Sequence, residues 1–196
     1  MPLYVTGDEE VDGLVNTDPF ALLVAMVLDQ QVPMERAFSA PAALRARLGG
    51  ELDPAAVAAM DPAALAAAFQ ARPALHRFPA AMAARVQELA RLVVRDWGGD
   101  ASAIWRSARS GAELATRLAS LPGFGEQKAR ILVALLAKRF DVRPPGWRAA
   151  AAPYGEPDAF ASVADVDSPE ALARVRARKR ELKAAARRPG TRAPAR

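Results

Sequence analysis

Residues 120–136 read SLPGFGEQKARILVALL, and the two glycines in this stretch decide how the rest of the chain is understood. Glycine costs roughly 1 kcal/mol in a helix interior relative to alanine. Yet Gly123 and Gly125 stand straight after Pro122 and directly before an apolar-periodic segment. Pro122 blocks the continuation of a helix anchored by Leu118 and Leu121. Gly123 can take the left-handed conformation closed to most residues. Phe124 points back to the core, and Gly125 leaves a bare surface where the next helix begins. A helix start offers unpaired amide N–H groups and the positive end of the helix dipole. A phosphate can approach such a backbone without meeting a side chain, and Lys128, one turn in, adds charge.

Working outward, helix signals dominate. An acid or hydroxyl cap followed by proline at the first helical position recurs at Asp18-Pro19, Asp53-Pro54, Asp61-Pro62 and Ser168-Pro169. After Pro19 the run FALLVAMVLDQQ is apolar nearly all round, which predicts a buried central helix. Met82, Val86, Leu89, Val93 and Trp97 share one helical face after Pro79. Ile131, Leu132, Leu135 and Leu136 do the same after the glycines, with Phe140 extending the stripe. Short alanine-rich helices are expected at about 41–48, 54–60 and 62–70. Residues 141–158 are rich in proline and glycine and read as an ordered loop with at most one helical turn. A last long helix is expected over 169–187, and RRPGTRAPAR at its end reads as a disordered basic tail. No alternating stretch reads as a strand, so the fold class is all-α.

Composition narrows the chemistry. The 196 residues suffice for one sizeable core or two small lobes sharing one. Cysteine is absent, which excludes disulfides and thiolate-held iron–sulfur clusters, and the single histidine, His76, makes a histidine-rich metal site implausible. There is no run of about 18 apolar residues, and the acidic start MPLYVTGDEEVDG lacks the order of a signal peptide. A cytoplasmic protein without a membrane partner is therefore expected; a monomeric, nucleoid-associated state is a separate expectation, not one drawn from these features. The net charge is +5, but residues 174–196 hold ten Arg or Lys and one acid, against 17 basic and 21 acidic residues before them. A basic end of this kind suits a polyanion such as nucleic acid, or equally a solvated terminal helix.

LPGFGEQKA, residues 121–129, resembles the helix–hairpin–helix element, whose pattern is Leu-Pro-Gly-apolar-Gly-x-x-x-Ala. Ala129 is the small residue that lets the two helices pack closely. AMVLDQQVPM, residues 25–34, is similar to the first core helix of the helix–hairpin–helix (HhH-GPD) DNA glycosylases, which ends in a Gln-Gln-like step facing the lesion. ARVQELARLV between the two segments is similar to another helix of that superfamily, and the order and separation agree. The resemblance covers about residues 18–147. It implies a two-lobed helical fold with a DNA cleft between the lobes. Residues 1–187 would form this single domain, the terminal helices making one lobe and about residues 30–140 the hairpin-bearing one.

The resemblance also implies roles. Gly123, Phe124, Gly125, Gln127 and Lys128 would hold a phosphate of double-stranded DNA. Gln30 and Gln31 would face the lesion, with Gln31 filling the gap left by an extruded base; the alternative is a polar surface end to the helix. A potassium or sodium ion would be held by the carbonyls of Ala119, Leu121 and Phe124 and would bridge to the phosphate; no other cofactor is implied. Trp147 and Tyr154 would lie at the pocket, or else anchor their loop. Trp105 and Phe78 read as core, and His76 as a helix-end or surface residue without chemistry. Arg143 and the basic ladder of the last helix could follow the DNA backbone.

Two departures bear on the chemistry. Superfamily enzymes carry an aspartate eighteen to twenty residues beyond the hairpin, where this chain has Pro144, Pro145, Gly146 and Trp147. The candidate replacements are Asp29, beside Gln30, and Asp141, several residues early. Asp29 would oppose the dipole at its helix C-terminus, an unfavourable placement that hints at a role. The Schiff-base lysine of bifunctional members falls at Gln127; Lys128, one residue on, is rotated about 100° around the helix. The expectation is a monofunctional glycosylase without lyase activity. The rivals are a catalytically silent DNA-binding module of the same fold and a helical protein-interaction domain.

Overall fold

The computed structural model describes residues 2–187; the basic tail over 188–196 lies outside them. Eleven α-helices and one 3-10 turn make up the described chain, and no strand occurs among its residues. The helices are α1 (Glu9–Thr17), α2 (Pro19–Leu28), α3 (Met34–Arg47), α4 (Pro54–Ala59), α5 (Pro62–Gln70) and α6 (Pro79–Trp97). They continue with α7 (Ala103–Arg106), α8 (Gly111–Ala119), α9 (Glu126–Arg139), α10 (Trp147–Ala151) and α11 (Pro169–Arg187). The 3-10 turn, Val163–Asp165, precedes α11. No single described helix is long and apolar enough to cross a membrane.

The caps expected from sequence form. Asp18 accepts from the N–H groups of Phe20 at 2.8 Å and Ala21 at 3.1 Å, and Ser168 Oγ accepts from Ala171 N at 3.1 Å. Asp53 and Asp61 cap α4 and α5 in the same way. Every residue of α2 from Phe20 to Leu28 is buried, because α1, α3 and α6 surround it. The apolar stripe of α9 packs on α8, α10 and the 3-10 turn. Ala129 is fully buried, which allows α8 and α9 to approach closely.

Three features of the fold differ from the sequence expectation or go beyond it. The helix expected over 41–48 is the second half of α3, which starts at Met34 and runs through Pro41. An internal proline reads as a start signal, and here burial of Met34, Phe38 and Leu44 outweighs the lost N–H bond. α1 was hidden in the acidic N-terminus. Its buried Asp12 collects the backbone N–H groups of Val5, Thr6 and Gly7 at 3.0–3.2 Å. That carboxylate holds the first residues against α1, and Tyr4 N donates to Val166 O at 3.2 Å. Phe78, read as core, is 44% exposed, whereas His76, two residues before it, is buried.

The loop after α9 is fixed by close packing at one glycine. Gly111 N donates to Pro145 O at 2.8 Å, and a Cβ on Gly111 would stand 2.5 Å from Trp147 Cα. The obstacle is backbone, which cannot turn aside. Gly111→Ala is therefore expected to cost about 1–3 kcal/mol of stability, read by denaturant unfolding. An unchanged midpoint would show that α10 is loosely seated.

Candidate nucleic-acid interface

The site is built where α2 ends beside the start of α9. Gly123 takes φ +81° and Gly125 lies extended as the N-cap of α9. A Cβ at Gly123 would meet Arg85 Cδ at 2.9 Å and Val27 Cγ1 at 3.3 Å, whereas one at Gly125 would meet nothing within 4 Å. The first glycine is needed for folding the corner, and the second leaves backbone open to an approaching group. Gly125, Glu126 and Gln127 are exposed.

The α2 terminus is held from three sides. Lys128 Nζ donates to Val27 O at 3.1 Å, and Gln30 Nε2 donates to the same carbonyl at 2.8 Å. Two helix-end carbonyl lone pairs are thereby satisfied. The amide of Gln30 also lies 3.4 Å from Met82 Sδ, and Arg85 reaches Gln30 Oε1 at 3.4 Å. Gln30 therefore turns inward and holds the corner. Gln31 instead is exposed, at φ +56°, a conformation unfavourable for a residue with a Cβ.

His76 is the support that the sequence reading misplaced. It is 1% exposed, not on the surface, and its Nε2 lies 2.8 Å from the Gln30 carbonyl oxygen. Phe78 N donates to its Nδ1 at 3.0 Å. Nδ1 is thus the acceptor, so the proton sits on Nε2 and donates to Gln30 O. A neutral imidazole fixes the backbone from which Gln31 projects.

A cleft of about 800 Å³ opens between these parts. Asp29, Gln30, Gln31, Gly125, Gln127 and Lys128 all line it. Asp29 caps the C-terminus of α2 and is half-buried, and its carboxylate is the only one on the described lining. Burial pushes the Asp29 carboxyl up from its ordinary value, while Lys179 and Lys128 pull it down and Glu35 pushes it up. Burial also lowers the Lys128 ammonium to about 8, against an upward pull from Asp29 and a further downward push from Arg85. Two ionisable groups held against their solvation preference in one cleft make this the candidate site.

The other sequence candidates separate. Tyr154 lines the cleft, and Gln127 Nε2 donates to its hydroxyl at 3.0 Å, tying the hairpin helix to the following loop. Trp147 does not reach the cleft; it packs under Gly111 and borders a separate cavity of about 510 Å³. Asp141 is also elsewhere. Its side chain is 84% exposed and pairs with Arg143 at 3.1 Å, so neither it nor Arg143 serves this cleft. None of Pro144, Pro145, Gly146 and Trp147 is on the lining. Lys128 is turned toward Val27 O, inward of the open face expected for a phosphate contact. Arg178, Lys179 and Leu182 of α11 border the cleft as well. The sequence marked a basic ladder there but had no signal for which rungs face inward.

The model of the HhH-GPD superfamily of base excision DNA repair proteins matches residues 24–190. The chain belongs to this superfamily. Comparison with curated proteins gave no match. As an HhH-GPD protein the chain is a base excision DNA repair protein and DNA is its partner. The matched span contains the α2 corner, the hairpin and all of α11, so every residue lining the cleft falls inside it.

Proposed function

We propose that this protein is a monofunctional DNA glycosylase, acting as a monomer on double-stranded DNA in the cytoplasm. The observation that carries the reading is Asp29: a half-buried carboxylate bordering the same cleft as Gly125 and Gln31. Gly125 offers its open backbone to a phosphate, and Gln31 fills the duplex where a damaged or mismatched base has left it. Unstacking costs a few kcal/mol, which a plug of this kind partly offsets.

As the C1′–N bond of the extruded nucleotide breaks, its electron pair leaves with the base, and positive charge develops on the sugar. The Asp29 carboxylate stabilises that charge and accepts a proton from the water that attacks C1′. The departing base takes up one proton, which Asp29 gives back through solvent, so the products are a neutral free base, an abasic sugar and the regenerated carboxylate. Gln127, in place of a lysine, supplies no amine for a lyase step.

The hairpin suits a monovalent cation. Leu121 O accepts Phe124 N at 3.0 Å and keeps a lone pair, and among the described hydrogen bonds none ends on Ala119 O or Phe124 O. A potassium or sodium ion on these three carbonyls would bring positive charge to the bound phosphate.

Duplexes carrying uracil, alkylated or oxidised bases and mismatches test the reading. Release of base with an intact strand supports it. Tight binding with no abasic product on any duplex overturns it in favour of a silent lesion-binding module, a reading favoured by the lack of an acid over residues 144–147.

A further inference from the structure

We infer that α11 is the closing wall of the cleft and that Lys179, which lines it together with Asp29, is the positioning residue that acts on Asp29 across it. The inference rests on Asp29 being the reacting carboxylate. α11 presents one continuous stripe at helical spacing. Leu172 and Val175 are buried, Arg176 donates to Glu35 Oε1 at 2.6 Å, and Lys179 and Leu182 border the cleft. The stripe passes from core, to an ion pair with α3, to the cleft, within three turns. It therefore fixes the direction in which Lys179 points.

The charges at the corner are arranged in two pairs. Asp29 and Glu35 stand on the two sides of the α2–α3 turn, like charges that work against each other. Arg176 takes Glu35, and Lys179, three residues further along the same face, acts on Asp29. Lys128 approaches Asp29 from α9, but its ammonium is engaged by Val27 O and its charge is weakened by burial and by Arg85. Arg178 and the Tyr154 hydroxyl complete the titratable groups around the cleft. Of these, Lys179 exerts the strongest downward pull on Asp29. A carboxylate that opposes its own helix dipole and loses water needs such a partner to stay charged. The site is therefore incomplete until α11 is seated.

The experiment follows the Asp29 side-chain carboxyl by carbon NMR through a pH titration of the full chain without DNA. Lys179→Met, Lys179→Arg and Arg180→Met are compared, Arg180 being exposed and off the cleft lining. Lys179→Met is expected to move the Asp29 midpoint upward, while Lys179→Arg and Arg180→Met leave it in place. On a cleaved substrate, Lys179→Met then runs several-fold slower at acid pH and recovers toward alkaline pH. An unmoved midpoint in Lys179→Met, or an equal movement in Arg180→Met, overturns the inference. A midpoint that moves in a protein cleaving no lesion duplex keeps Lys179 in this role on Asp29 and removes the glycosylase reading. A cleaving protein whose midpoint stays fixed does the reverse.

Discussion

Asp29→Asn is expected to lower the single-turnover rate of base release by about 10²-fold or more while leaving duplex affinity nearly unchanged. The amide keeps the shape of the side chain and loses both functions asked of it: the negative charge beside the developing sugar cation and the acceptor for the proton of water. The substitution also carries a signature in stability. Because the folded protein holds the Asp29 carboxyl above its ordinary value, folding favours the protonated form. That contribution is complete below the unfolded value and is lost as pH rises through the folded one. At neutral pH the parent thus carries the cost of a half-buried charge, and Asp29→Asn is expected to unfold at a higher temperature. Lys128 has the opposite sign. With its ammonium lowered to about 8 from 10.5, it destabilises the fold below that window, and stability recovers as pH rises through it. A loss of activity coupled to a gain in thermal stability would identify Asp29 as a group retained for chemistry. A loss of both would make it a structural residue, and an active Asp29→Asn protein would remove it from the reaction.

This pairing of cost and purpose explains which parts of the molecule could be read in the amino-acid order. The caps at Asp18, Asp53, Asp61 and Ser168 and the stripe of α9 are local devices, complete within a few residues, and they form as expected. The hairpin was legible for the same reason, since a proline and two glycines over four positions leave few conformations. Asp29 stood out because it violates a local rule at a helix end. What could not be read depends on residues far apart in the chain. His76 reaches the Gln30 carbonyl across 46 positions, and Lys128 meets Val27 across 101. From its position in the loop Trp147 reads either as a pocket residue or as an anchor, and the bare surface of Gly111, far away in the chain, makes it the anchor. Nothing near Pro41 in the sequence says that α3 continues through it; the burial of Phe38 and Leu44 does. The rungs of α11 that face the cleft depend on where Leu172 and Val175 dock, which a ladder of like charges does not record.

Gly125→Val is expected to leave the fold intact and weaken binding to duplex DNA by about tenfold or more, equivalent to roughly 1.4 kcal/mol. Its backbone lies at φ −128°, ψ 179°, which any residue adopts, and a Cβ there meets no atom within 4 Å. Unfolding should therefore shift by no more than about 1 kcal/mol, the cost of a poorer N-cap residue. The branched side chain would instead stand between the α9 N-terminus and an approaching phosphate, lengthening every backbone contact there. The slope of log K against log salt should fall by about one phosphate, with no change in preference among lesions. Gly123→Ala is the companion that separates the two roles. At φ +81°, with Arg85 Cδ 2.9 Å from the added Cβ, it acts on the fold, at a cost of about 1–3 kcal/mol. If the corner were only a reversal of chain direction, affinity would follow stability in both variants, and Gly125→Val would bind as the parent does. Binding lost at Gly125 out of proportion to stability, and stability lost at Gly123, is the pattern required of a backbone that meets the sugar–phosphate strand directly.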